Sequence, residues 1–392
     1  MVFQSDRVGQ IPPYLFAEIN KKKAAMIKSG VDVIDLGIGD PDLSTPEHIV
    51  DKLIEEMRNP SNFKYPSFIG CEEFRQAVAN FYERQYGVRL DPDTEVLTLI
   101  GSKEGIAHIV PALIDPGDTV LIPDPSYPVY RMATHLANGH SYSMPLKPEN
   151  NFEPDFSSIP KEILRCSKLM FLNYPGNPTA ATVDKQFFDR AVSFAYEHQI
   201  PIAHDSAYNM VTFDVYKAPS ILQVDGAKDI AVEFGSLSKS YNMTGWRIGY
   251  VVGNKDIIKS LSILKSNVDT GQFTPIQKAA AFALNSGDQS CITKHNQIYK
   301  ERMKAMLDGL ATIGVYVNPP NGSFFIWAPV PEGYTSTEFV TNVMEKTGVI
   351  FTPGNAFGPA GEGYFRVSLS VPTQRLYEAI ERIKQKLGVK MV

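Results

Sequence analysis

From about residue 95 onward, short apolar runs alternate with stretches of helical spacing, and this rhythm restricts the chain to few architectures. EVLTLIG is followed by a helix from Ser102, and TVLIPD and KLMFLNY by a helix around 184–198. IPIAHD, AVEFGSLSK and RIGYVVG then follow. Strand-length apolar runs separated by helices predict a largely parallel sheet covered by helices on both faces, an α/β fold. In such a sheet, ligand-binding groups collect in the loops at the carboxyl ends of the strands. Gly101, Tyr127, Asn177, Asp205 and Lys239 all fall at those ends.

With 392 residues, the chain exceeds what a single core usually serves. Residues 45–290 read as a large ligand-binding domain and 291–392 as a smaller α+β domain. Residues 1–44 read as a segment that packs with the smaller domain. Helices are predicted over 15–29 (ended by Gly30), 46–58 and 71–86, a strand over 31–39, and long helices over 257–310. Toward the end, SFFIWAPV and GYFRVSLS read as strands and 373–387 as an amphipathic helix.

Charged residues make up 21% of the chain and the net charge is -5, which gives no general attraction to nucleic acid or anionic membranes. No apolar run is long enough to span a bilayer, and the N-terminus lacks a signal-peptide core. Cys71, Cys166 and Cys291 are scattered and lack CxxC spacing. That argues against a disulfide framework and for a reducing, cytoplasmic setting.

The richest stretch is SLSKSYNMTGWRIG, residues 236–249. A lysine is ordinarily a surface residue, but Lys239 lies among Ser236, Ser238 and, eight positions on, Arg247. The hydroxyls and guanidinium suit a phosphate. A desolvated lysine beside another cation becomes a free amine able to form a Schiff base with an aldehyde. Asp205 ends a strand, with Tyr208 three residues on. A turn-capping role is the plain alternative, but a buried carboxylate also keeps a facing pyridine nitrogen protonated. Asn177, in LNYPGNPTAA, and the Tyr208 hydroxyl are placed to reach a phenolic oxygen on such a ring. GSKEGIAH (101–108) puts Ser102 and Lys103 where a helix starts, with Ser102 as its cap, a ready anion site. Tyr127 offers a face for stacking. Arg366, midway along an apolar strand, needs a partner; a substrate carboxylate and a structural salt bridge are the two candidates.

Other chemistries are missing from the sequence. Gly37 and Gly39 begin a GxGxxG pattern, but Asp42 stands at its third glycine, which excludes the dinucleotide fingerprint. There is no HExxH or GxSxG, and the seven histidines are too scattered for a metal site.

These motifs together resemble the fold-type I, class I aminotransferases dependent on pyridoxal 5'-phosphate, which have an aspartate aminotransferase-like fold. The match runs from PPYLFAEI through GIGDPD, the Tyr65-to-Gly70 segment, GSKEGI, DPSYPVY, NYPGNPT, HDSAY and SLSKSYNMTGWRIG to the Arg366 strand. The resemblance implies that Lys239 is the Schiff-base lysine, that Asp205 pairs with the ring nitrogen, and that Asn177 and Tyr208 meet its phenolic oxygen. It also implies stacking by Tyr127 and a phosphate site of Ser102, Lys103, Ser236, Ser238 and Arg247, joined by Tyr65 from the partner subunit of a homodimer. Arg366 would hold the substrate α-carboxylate, with Gly39 and Tyr14 closing over it. Ping-pong transfer between an amino acid and a 2-oxo acid, 2-oxoglutarate among them, would follow.

Within the family, PPYLFAEI, GIGDPDLSTP, GSKEGIAH and the lysine segment are most similar to LL-diaminopimelate aminotransferases, enzymes of lysine biosynthesis. Lys103 occupies a position used in some relatives to meet a distal carboxylate. NYPGNPTAA and HDSAY depart from the usual pattern, and NVDTGQF (267–273) lacks the arginine of aspartate-specific relatives. A broader aspartate, alanine or aromatic aminotransferase stays open, as does a pyridoxal-phosphate C–S lyase. A non-catalytic regulator would need a DNA-binding helix-turn-helix, and the first 40 residues carry none.

Overall fold

The computed structural model describes residues 3–11, 16–286 and 289–387. The 31–39 run, expected as one strand, contributes only β1 (Ile34–Asp35). Then follow β2 (Val96–Leu99), β3 (Thr119–Asp124), β4 (His140–Pro145), β5 (Ser167–Asn173), β6 (Ile202–Asp205), β7 (Ala231–Ser236) and β8 (Gly249–Gly253). These seven form one sheet in the order β2-β8-β7-β6-β5-β3-β4. β3 to β7 pair in parallel, and β8 runs antiparallel to both β2 and β7.

Both faces of the sheet are covered, as the near-continuous apolar strands require. Neighbouring residues point to opposite cores: Ile202 and Leu172 pack with Phe74 and Phe187, whereas Ala203 and Phe171 pack with Ile106 and Val232. The helices Glu47–Met57, Glu72–Tyr86 and Lys185–His198 lie where helical spacing predicts them. Asp184 caps the last of these, accepting the Phe187 N–H at 3.0 Å. Sequence pattern does not reveal β4, an edge strand whose HSYSMP residues are mostly part-exposed, nor the Val129–Leu136 helix before it.

A smaller antiparallel sheet follows, of β9 (Phe325–Pro329), β11 (Thr352–Pro353) and β12 (Tyr364–Ser368), in the order β11-β12-β9. β1 pairs in parallel with β10 (Val349–Ile350). Ile34 and Leu36 thereby join the core of Phe324, Phe351 and Phe365. The Thr373–Leu387 helix buries Leu376, Ala379, Ile380, Ile383 and Leu387 there, one stripe at helical spacing. Among the described residues no helix is long and apolar enough to cross a membrane.

Candidate active site

The loops after β2, β3, β5, β6 and β7 meet at the carboxyl edge of the large sheet and open onto a cavity of about 570 Å³. Its walls include Lys239, Asp205, Tyr208, Asn177, Tyr127, Ser102, Lys103, Ser236, Ser238, Arg247, Gly39 and Arg366. Residues spread over more than 300 positions of sequence therefore face one space. Tyr65 does not line it; its side chain is 91% exposed. Tyr14 lies outside the described residues.

Lys239 sits on the short Leu237–Ser240 helix that directly continues β7. Its Nζ donates to the Gly39 carbonyl at 2.8 Å. Burial lowers its pKa to about 8, against the pull of Asp40 and with help from Arg247 and Arg366. Gly39 must be glycine for this approach, since a Cβ there would stand 2.6 Å from the Phe325 ring.

Asp205, 5% exposed, accepts from the Tyr130 hydroxyl at 2.7 Å and from the Ala207 N–H at 3.3 Å. Burial raises its pKa, with Tyr130 and His204 acting against that. Asn173 ties the neighbouring loops together: its Nδ2 donates to the Asp205 carbonyl at 2.7 Å, and its Oδ1 accepts the Asn177 N–H at 2.8 Å. Tyr208 is buried edge-on to Phe324 and Phe325, and burial raises its phenol pKa, so it stays protonated.

Ser102 does not cap the helix after β2, as its sequence position suggests. Ser102 is the first residue of the Ser102–Leu113 helix, and Gly101 is the capping residue, with no side-chain cap bond. At φ +73, Gly101 has its missing side chain directed at Arg247: a Cβ would lie 2.4 Å from Nη2. The guanidinium therefore rests over the helix start, where backbone N–H groups and the dipole favour an anion. Arg247 itself has φ +55, and its Nη1 donates to the Thr244 carbonyl at 2.9 Å. Ser236 completes this wall, accepting the Ser238 N–H at 3.2 Å.

Arg366, 4% exposed, projects from β12. Its Nη1 donates to Asn177 Oδ1 and its Nη2 to the Gly37 carbonyl, both at 2.6 Å. Its guanidinium carbon lies 4.1 Å from the Phe325 ring centre and 4.7 Å from that of Phe357. Asp40, Tyr130, Asn173, Phe325 and Phe357 all contribute to the site without having been singled out from sequence. Only Tyr130 offered a signal, as a tyrosine near Tyr127 whose hydroxyl would need a partner once buried. Elsewhere, His108 comes together with Glu104 and Asp269, where the Lys265 ammonium bonds both carboxylates.

The cavity fits pyridoxal phosphate in three places: an anion cradle that a Cβ at Gly101 would fill, a buried carboxylate, and a lysine amine of depressed pKa. Fold and site together define an enzyme built around a phosphorylated aldehyde cofactor. The chain belongs to the aminotransferase class I and II family, whose model matches residues 31–383, and its cofactor is pyridoxal 5'-phosphate. It is 51% identical to an LL-diaminopimelate aminotransferase of Moorella thermoacetica, over 98% of both chains. It is 53% identical to one of Aquifex aeolicus, over 97% of this chain and 98% of that one. The solved structure of substrate-bound BacF from Bacillus subtilis matches with a TM-score of 0.94 at 38% identity, covering 98% of each chain. The α/β fold expected from sequence is thus the aspartate aminotransferase-like one.

Proposed function

We propose that this chain transfers the amino group of LL-diaminopimelate to 2-oxoglutarate. The reading is carried by identity above half, over nearly the full length, to relatives bearing that name. The cavity's charge distribution supports it. Buried Arg366 offers a site for one α-carboxylate, while the exposed Lys103 and Asp40 on the same cavity suit the carboxylate and ammonium at the far end of a doubly charged donor.

Bound pyridoxal phosphate supplies an aldehyde carbon for the donor nitrogen and a protonated ring that draws electrons from the donor Cα. Lys239 Nζ, whose pKa desolvation lowers to about 8, would hold the cofactor's aldehyde carbon and, once released, would carry the proton to and from the donor Cα. Asp205 would hold the proton on the ring nitrogen. Asn177, whose Oδ1 is occupied by Arg366, would present its amide N–H₂ to the ring oxygen, with the protonated Tyr208 as a second donor. Tyr127 would stack on the ring. The start of the Ser102–Leu113 helix, with Lys103, Ser236, Ser238 and Arg247, binds the phosphate. Arg366 would orient the donor by its α-carboxylate, with Gly39 beside it on the cavity wall.

A homodimer completes the site in this reading. Tyr65 is exposed, as are the apolar side chains of Phe63, Phe68, Val268 and Phe273, and in such a dimer it would reach the partner's phosphate site. The scattered cysteines, all three free, support a reducing, cytoplasmic setting. An amino-donor panel tests the function, using LL-diaminopimelate, aspartate, alanine and phenylalanine with 2-oxoglutarate. LL-diaminopimelate should give the highest kcat/KM; a higher value for aspartate, or pyruvate release from cystathionine as the main activity, would overturn the reading. For the dimer, Lys239→Ala and Tyr65→Ala chains should each form dimers with impaired sites, and mixed subunits should regain activity in one site.

A further inference from the structure

Tyr130 is fully buried behind the cavity wall and is absent from the residues that face the cavity. Its ring stacks on Phe171, with centroids 4.6 Å apart and planes 11° from parallel, and meets Tyr127 edge-on at 5.9 Å. The hydroxyl is thereby fixed, and it donates to Asp205 Oδ2 at 2.7 Å. Among the described residues the other carboxylate oxygen, Oδ1, receives the longer 3.3 Å contact from the Ala207 N–H. Burial and the nearby Asp205 charge raise the Tyr130 phenol pKa far above its usual value, so the group acts as a donor at every working pH. Burial of Asp205 makes its carboxylate more basic, and the Tyr130 hydrogen bond is the largest of the effects that oppose this.

Two consequences follow from chemistry alone. A carboxylate held by one oxygen has a set orientation, which leaves its second oxygen to meet a group bound in the cavity that Asp205 lines. A carboxylate made less basic leaves a shared proton on its partner. We propose that Tyr130 is a positioning residue for transamination: by holding Asp205 Oδ2, it aims Oδ1 at the cofactor's ring nitrogen and keeps the shared proton on the ring. The proposal rests on the assignment of Asp205 to that nitrogen, and the experiment separates the two.

Holoenzyme is reconstituted with pyridoxal phosphate labelled with ¹⁵N in the ring, in wild type, Tyr130→Phe and Asp205→Asn. Phenylalanine keeps the stack on Phe171 and removes only the hydroxyl. The ring nitrogen of Tyr130→Phe should move toward the shift of an unprotonated pyridine. Its kcat should fall about 10-fold, with little change in the donor KM. A wild-type nitrogen shift in Tyr130→Phe, whether or not kcat falls, would overturn the role of Tyr130, provided Asp205→Asn shifts the resonance. An unchanged resonance in Asp205→Asn would instead remove Asp205 from the ring nitrogen, and Tyr130's role with it. If Tyr130→Phe does not fold, 3-fluorotyrosine placed at position 130, a stronger donor of the same shape, decides the matter. It should move the nitrogen toward the fully protonated shift, and no movement in a sample whose proton is shared would overturn the proposal.

Discussion

Arg302 and Asp42 form a two-pronged ion pair, with Nη1 2.7 Å from Oδ1 and Nη2 2.9 Å from Oδ2. Arg302 also donates to the Leu369 carbonyl and to Thr373 Oγ1, so one guanidinium fastens the loop after Gly39 to the long Ser290–Ala311 helix. Its side chain is 3% exposed and that of Asp42 15%. Removing one member of such a pair strands the other charge, at a cost of roughly 3 kcal/mol. Asp42→Ala should lower stability by about that much in urea unfolding of the apoenzyme.

The Lys239 amine gives a pH prediction whose sign is set by burial. Its pKa falls from 10.5 to about 8, so the amine is protonated below 8 and free above. Capture of pyridoxal phosphate by the apoenzyme should therefore accelerate about tenfold per pH unit well below 8 and level off above it. Between about 8 and 10.5 the unfolded chain binds the extra proton, so apoenzyme stability should rise with pH across that window. Lys239→Ala should lose both the rate profile and transamination while still binding cofactor through the phosphate cradle. Absorbance spectra and equilibrium dialysis check each part.

On the proposed role of Arg366, lysine is a poor replacement. An ammonium cannot grip a carboxylate with two parallel N–H groups, nor lie flat against Phe325 and Phe357. Arg366→Lys should raise KM for both the amino donor and the 2-oxo acid by roughly 100-fold, leaving the cofactor dissociation constant within a few-fold of wild type. Equal losses of both affinities would contradict the assignment.

Gly101→Ala tests the phosphate cradle. The new Cβ would collide with Arg247 at 2.4 Å, and alanine would carry a positive φ costing about 1 to 3 kcal/mol. Cofactor affinity should weaken by about 10- to 100-fold, with free inorganic phosphate binding weakened in step. A displaced guanidinium would explain both.

The sheet was legible because its strands are short, apolar and regularly spaced by helices, and because β8 keeps that pattern despite running the other way. β4 is not legible, since an edge strand with one solvated face carries polar residues such as His140 and Ser143. The 31–39 run reads as a longer strand than it forms because its partner β10 offers two residues to pair with. Site residues at strand ends were visible through their neighbours. Tyr130 and Asn173 act through other side chains, and no spacing rule announces a hydrogen bond made 75 or 32 positions away.

The Arg366 guanidinium is held by two aromatic rings, a side-chain amide and a backbone carbonyl of its own chain. On the proposed role, an incoming carboxylate does not have to order a long, mobile side chain, so little of its interaction energy is lost to entropy. The filter this makes is one of planarity rather than size. Simple amines of any length, lacking a flat anion beside the amino group, would enter the cavity without finding their orientation, and selection for amino acids is thus built into the resting fold.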